Sequence, residues 1–206
     1  MIGYYNYTVV LTYLGMLSGF FGIICIGNGN LPTSLICLMV SGLCDMFDGK
    51  IASTRQRTQQ EKKFGIQIDS LSDLICFGVL PAMIAYHCTG EKPYQMVISA
   101  AYLLCALIRL AWFNVDEEER QTKESGARNT YLGLPVTTAA LIFPMAVGIA
   151  NAREISVAGI MPWLTICVAA GFLTPFKLKK PERIGRIIMV ALGTAILTVV
   201  MIGAAA

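Results

Sequence analysis

No charged side chain precedes Asp45, and the charges that follow fall in a few clusters separated by apolar stretches. Each stretch is long enough to cross a hydrocarbon core at about 1.5 Å per residue. This distribution constrains the fold most, because a chain of 206 residues, 55% of them hydrophobic, cannot hide its apolar side chains inside a soluble domain of that size. The first apolar stretch divides at Gly27-Asn28-Gly29-Asn30 and Pro32 into spans over residues 8–26 and 31–51. Further spans are predicted over 68–88, 94–114, 133–150, 155–176 and 187–204, seven in all. The expected fold is an all-α polytopic membrane bundle of about six to eight helices, a single membrane domain over residues 1–206.

Lysine and arginine in short loops are retained on the cytoplasmic side of a membrane. With the N-terminus inside, segments 50–63, 114–130 and 177–186 are cytoplasmic and carry five, three and five basic residues, whereas the opposite loops carry only Lys92 and Arg153. Arg109 falls within a span. The expected location is the cell (plasma) membrane, with the N-terminus and the functional site facing the cytoplasm. The N-terminus lacks a basic stretch ahead of its apolar segment, so residues 1–7 are expected to stay rather than be cleaved as a leader. The net charge of +3 suits a protein lying against anionic lipid and is no nucleic-acid signature. The basic segment 177–186 is expected to lie on anionic headgroups. Seven cysteines form no C-x-x-C pair and read as small core residues. The only histidine, His87, falls on the side away from the acidic cluster, which leaves general-base work to a carboxylate.

That cluster runs Asp45-Met-Phe-Asp48-Gly49-Lys-Ile-Ala52, passes through a basic loop, and resumes at Phe64-Gly65-Ile-Gln-Ile-Asp69-Ser-Leu-Ser-Asp73. On helices, Asp45 and Asp48 share one face, as do Asp69 and Asp73, and two antiparallel spans bring the pairs together. Bare carboxylates in apolar helices cost about 2.5–3.5 kcal/mol each at the bilayer centre, so something must compensate them. Oxygen-only ligands suit a hard divalent cation, Mg²⁺ or Mn²⁺, which takes phosphate oxygens in its remaining positions. Four carboxylates make a pair of ions plausible. The competing structural reading is that these aspartates cap helices or form a solvated rim.

The spacing resembles the motif of the CDP-alcohol phosphatidyltransferases, D-x-x-D-G-x-x-A-R, eight residues, G-x-x-x-D-x-x-x-D. Asp45, Asp48, Gly49, Ala52, Gly65, Asp69 and Asp73 match it. Ser53 stands where the motif has arginine, and eleven residues rather than eight separate it from Gly65. The resemblance implies that Asp45, Asp48 and Asp69, with Asp73 touching the metal as well, hold the divalent ions on the diphosphate of a CDP-linked lipid. It implies that Asp73 deprotonates the attacking alcohol, and that Asp48, Gly49, Ala52 and Gly65 border the CDP group. Gly49, Ala52 and Gly65 read equally well as ordinary small-residue packing between helices. Arg57, one turn beyond Ser53 if the helix continues, is the first candidate to replace the arginine, with Arg55 and Lys62 behind it; plain retention of positive charge explains the same run.

Two later segments, Leu107-Ile108-Arg109-Leu110-Ala111-Trp112-Phe113-Asn114 and Tyr131-Leu132-Gly133-Leu134-Pro135, resemble the R-L-A-x-F-N and F-x-G-L-P segments of the phosphatidylserine synthase branch. Residues 64–81 also read like that branch, and the resemblance spans residues 45–140. It implies CDP-diacylglycerol and L-serine as substrates, phosphatidylserine and CMP as products, and a homodimer. Arg109 either holds serine's carboxylate in a bidentate pair or snorkels to headgroups and aspartates. Asn114 either binds serine or caps its helix. Residues 115–130 are expected as a solvated loop whose end closes over the site, and Pro135 as the start of a helix. The same chemistry with glycerol 3-phosphate or an inositol compound is the alternative, although a phosphorylated acceptor calls for more buried cations than Arg109. A divalent-cation transporter is the remote one, since the aspartates cluster at one side and no repeat is visible.

Overall fold

The computed structural model describes residues 3–123, 130–179 and 193. The molecule is an all-α polytopic membrane bundle. A turn of 3₁₀-helix, Tyr7–Val9, leads into α1 (Val10–Gly27), followed by α2 (Leu31–Ala52), α3 (Gln59–Asp73), a π-helical segment (Leu74–Val79), α4 (Leu80–Cys88), α5 (Pro93–Lys123), α6 (Ala139–Ala152) and α7 (Val157–Leu173). Three continuous helices have the length and apolar character of membrane spans: Tyr7–Gly27, Gln59–Cys88 and Pro93–Glu119. Val136–Ala152 and Val157–Leu173 are shorter and equally apolar. The six expected spans up to residue 176 thus correspond to helices, while the seventh, 187–204, lies outside the described residues apart from residue 193, as do 124–129 and 180–186.

Local sequence explains the boundaries. Between α1 and α2 the chain reverses through Gly29 at φ +78°, and Asn30 caps α2 by accepting from Thr33 N at 3.1 Å, with Pro32 in the first turn. The third span begins at Gln59 rather than Ile68, because Thr58 and Glu61 form a reciprocal cap: Glu61 N donates to Thr58 Oγ1 at 3.2 Å and Thr58 N donates to Glu61 Oε2 at 2.8 Å. The fourth span likewise passes Asn114 and continues to Lys123, since Glu117, Glu118 and Glu119 favour helix and no breaker intervenes. Its 31 residues extend about 46 Å, well beyond a hydrocarbon core of about 30 Å. Residues 115–123 are therefore helix, not loop.

Helix α1 makes the most extensive helix–helix contact, with α2. The approach needs small residues: a Cβ on Gly22 would lie 2.9 Å from the Cys37 Cβ, and one on Gly19 would lie 2.6 Å from the Cys76 sulfur. On the other side of α2, a Cβ on Gly42 would meet the Ala140 Cβ of α6 at 2.6 Å. The core joins Leu38, Phe77, Leu80, Tyr102, Phe143 and Phe172. Outward, α1 presents Leu14, Leu17, Phe20, Phe21 and Ile24, and α5 presents Leu104, Leu107, Ile108 and Trp112. So large an apolar surface is compatible with lipid, not water.

The widened turns at Leu74–Val79 directly follow Asp73 and directly precede Leu80-Pro81. In an α-helix the Phe77 carbonyl would accept from residue 81, and Pro81 has no N–H to give. The Tyr102 hydroxyl donates to that carbonyl instead, at 2.7 Å. One feature departs from the expected all-helical pattern: Thr130–Leu132 (β1) pairs antiparallel with Lys177–Lys179 (β2), so that the segment before α6 is tied to the chain leaving α7. Lys177 to Lys179 thus form one strand of a ribbon, and the rest of the basic segment, 180–186, lies outside the described residues.

Candidate metal and phosphate site

Asp45 and Asp48 project from the last two turns of α2, and Asp69 and Asp73 from the C-terminal half of α3. One carboxylate oxygen from each of Asp45, Asp48 and Asp69 lies within 4.8 Å of the other two. Asp73 is buried and borders the same small cavity of about 10 Å³, together with Thr12, Gly15, Ser41, Cys44 and Cys76. That is room for one water-sized particle. The two aspartate pairs therefore do converge, and three carboxylates form the tighter group.

Among the described residues none of the four aspartates is ion-paired. Thr12 Oγ1 donates to Asp48 Oδ2 at 3.2 Å, while Asp69 Oδ1 is buried with no hydrogen-bond partner among the described residues. An orphaned carboxylate oxygen beside two further carboxylates is costly without a counter-charge. A hard divalent cation with oxygen ligands would supply one, so these residues fit such an ion. The Cys76 thiol points elsewhere, donating to the Gly15 carbonyl at 3.4 Å. The solvated-rim reading of these aspartates does not fit a buried Asp73 and an unpartnered Asp69 oxygen.

The flanking residues sort as follows. A Cβ on Gly49 would have nothing within 4 Å, so the backbone there is open to an approaching group. Ala52 is half-buried and ends α2; the helix does not continue to Arg57, because Ser53 caps it and turns its hydroxyl back onto the Lys50 carbonyl at 2.7 Å. The loop nevertheless carries Arg57 to the start of α3, its Nη1 lying 3.2 Å from where a Gly65 Cβ would be, one helical turn before Asp69. Arg55 is engaged by Glu61 at 3.8 Å, and Lys62 is exposed. Of the three candidate replacements for the motif arginine, Arg57 is the one whose side chain lies against Gly65.

Asn114 is not a helix cap: it sits inside α5, where its Nδ2 donates to Ser70 Oγ at 2.9 Å, next to Asp69. Arg109 is buried, with its guanidinium 5.4 Å from the Trp112 ring centroid and 5.8 Å from that of Phe113. It borders a second cavity of about 270 Å³ with Trp112, Leu132, Phe172 and Thr174, which shares no lining residue with the acidic one. Leu132, just ahead of Gly133-Leu134-Pro135, lines this second cavity, and residues 132–135 are absent from the lining of the acidic one. Gly133 holds φ +75°, its N–H donates to the Phe176 carbonyl at 2.7 Å, and a Cβ there would lie 2.9 Å from the Thr174 carbonyl oxygen. Pro135 immediately precedes the turn Val136–Thr138 that opens α6, close to the expected helix start.

Sequence reasoning missed Thr12 and Gly15, which make α1 a wall of the acidic site. The available signal was the small-residue stripe Gly15-x-x-x-Gly19-x-x-Gly22, which marks a helix face in close contact with others.

Comparison with known proteins decides the family. The family model for CDP-alcohol phosphatidyltransferase matches residues 5–171, most of the chain. The chain belongs to the CDP-alcohol phosphatidyltransferase family. Among relatives in this family, it is 34% identical over 145 residues to the CDP-diacylglycerol–serine O-phosphatidyltransferase of Saccharomyces cerevisiae, covering 66% of this chain and 51% of that one. It is 31% identical over 149 residues to the enzyme of the same name from Helicobacter pylori (70% and 56%), and 32% identical over 133 residues to the archaetidylserine synthase of Methanothermobacter thermautotrophicus (64% and 53%). The chain spans about half the length of these relatives. The acidic group of Asp45, Asp48, Asp69 and Asp73 lies inside the stretch matched to the phosphatidyltransferase family.

Proposed function

We propose that this membrane protein transfers a phosphatidyl group from CDP-diacylglycerol to the hydroxyl of L-serine, giving phosphatidylserine and CMP. The observation that carries the reading is the convergence of Asp45, Asp48 and Asp69 around an orphaned oxygen, with the fourth carboxylate, Asp73, on the same cavity. The serine acceptor is supported by the relatives, two CDP-diacylglycerol–serine O-phosphatidyltransferases and an archaetidylserine synthase.

Asp45, Asp48 and Asp69, with Asp73 adjoining, would hold one or two Mg²⁺ or Mn²⁺ ions. When bound, a divalent ion supplies positive charge to the diphosphate and lowers the energy of the charge that develops on departing CMP. Asp73 accepts the serine hydroxyl proton while that oxygen forms its bond to the phosphatidyl phosphorus; the bond from this phosphorus to the bridging oxygen breaks, and CMP leaves with the electron pair. Gly49 leaves the α2 backbone open to the nucleotide, with the small Ala52 one turn on, and Arg57, against Gly65, adds a cation for the diphosphate. Asn114, bonded beside Asp69, and Arg109 are assigned to serine. Because Arg109 borders the second cavity, its substitution tests whether that cavity communicates with the acidic one. The basic asymmetry of the loops supports a cytoplasmic site in the plasma membrane, and family resemblance supports a homodimer.

The test is CMP release by purified protein given CDP-diacylglycerol and Mg²⁺ or Mn²⁺, with serine, glycerol 3-phosphate and inositol in separate reactions and an ether-linked CDP-lipid in parallel. Serine-dependent release with phosphatidylserine as product is expected. Release with another acceptor alone removes the serine assignment, and none with any acceptor overturns the reading.

A further inference from the structure

The loop between α2 and α3 is longer than the family motif requires and lacks the motif arginine, yet it delivers Arg57 to Gly65. Six residues of mostly exposed polar loop do not order themselves, because each ordered residue costs conformational entropy. The N-terminal segment ahead of α1 touches both ends of that loop. At its start, the Tyr7 hydroxyl lies 3.0 Å from Thr54 Oγ1. At its end, the Tyr4 hydroxyl donates to Gln60 Oε1 at 2.8 Å, the Tyr4 ring meets Phe64 edge-on at 5.5 Å between centroids, and Asn6 Nδ2 donates to Glu61 Oε1 at 3.2 Å. Glu61 is also the capping residue of α3 and the partner of Arg55. Asn6 in turn accepts from Thr8 N at 3.0 Å, which joins the segment to the same helix that places Thr12 on Asp48.

We propose that Tyr4, Asn6 and Tyr7 form a positioning clamp that holds the α2–α3 loop so that Arg57 stands over the diphosphate side of the acidic site. The inference rests on the phosphatidyltransferase reading for its functional consequence and on the contacts above for its geometry. The clamp touches neither metal ligands nor substrate; it acts through Arg57, with a CDP-lipid as the ligand whose affinity it sets.

Two measurements test it on the full chain in lipid nanodiscs. In hydrogen exchange, the double variant Tyr4→Ala/Asn6→Ala is expected to speed exchange over residues 53–60 by about tenfold, as loss of two hydrogen bonds implies, with α5 unchanged. Tyr4→Phe, which keeps the ring on Phe64, is expected to speed it by about two- to threefold. Unchanged exchange in the loop, or acceleration spread over all the helices, overturns the clamp. In CDP-diacylglycerol binding with Mn²⁺, the double variant is expected to weaken affinity about tenfold when Arg57 is present and less than twofold in an Arg57→Ala background. Equal losses in both backgrounds overturn the link to Arg57. A wild-type protein that binds no CDP-diacylglycerol removes the functional reading instead, and the exchange arm still decides the clamp.

Discussion

Replacing Asp69 by asparagine is expected to change stability in opposite directions with and without metal. The Asp69 carboxylate has an oxygen within 4.8 Å of both the Asp45 and the Asp48 carboxylates. At an effective dielectric near 20, two full charges 4.8 Å apart repel by about 3.5 kcal/mol, so with all three groups ionised Asp69→Asn removes on the order of 7 kcal/mol of bare repulsion from the metal-free protein. Structural relaxation and water penetration relieve most of this repulsion, and a net gain of about 1–2 kcal/mol corresponds to roughly 2–8 °C in Tm for a chain of this size. The wild type, by contrast, gains about 2.7 kcal/mol when the ion is present at a hundred times its Kd. Thermal unfolding in detergent, with EDTA and with Mn²⁺, reads both effects. Asp69→Asn should melt above wild type in EDTA and lose most of the Mn²⁺-induced rise. A variant that melts below wild type in EDTA, or keeps the full Mn²⁺ shift, refutes the argument that these carboxylates are held together against their repulsion for an ion.

Asp73→Asn should lower kcat by about 10²- to 10⁴-fold while leaving CDP-diacylglycerol binding with metal intact, measured by CMP release and direct binding; retained turnover removes Asp73 as the base. Arg57→Ala should weaken CDP-diacylglycerol binding about ten- to a hundredfold, whereas Arg55→Ala, whose partner is Glu61, should change it little. Arg109→Ala should raise the KM for serine more than the Kd for the CDP-lipid, and an unchanged serine KM separates the second cavity from acceptor binding. Gly133→Ala should cost about 1–3 kcal/mol in thermal unfolding, since its φ of +75° and the Thr174 carbonyl at 2.9 Å both disfavour a side chain.

Some boundaries were readable and went unread. Thr58-Gln-Gln-Glu61 is a capping signature, and it accounts for the third helix beginning nine residues before its apolar stretch. The fourth helix outran its expected end at Asn114 because hydropathy marks where a membrane ends, not where hydrogen bonding does. Within the π-helical turns beside Asp73, the Phe77 carbonyl that Pro81 cannot serve is taken up by Tyr102, 25 residues away, a relation with no local period.

The sequence by itself determined that this chain carries the apolar stretches of a membrane protein, and that Asp45 with Asp48 and Asp69 with Asp73 form two pairs, each on one helix face. Charge placement and helical spacing are covalent facts: residues three or four apart share a face however the rest folds. Only the tertiary structure decided that α1 walls the site through Thr12, that the N-terminal tyrosines reach Thr54 and Gln60, and that Arg109 borders a cavity of its own. Those contacts join residues tens of positions apart, and their existence depends on how closely glycine-faced helices approach, which no pattern along a single helix specifies.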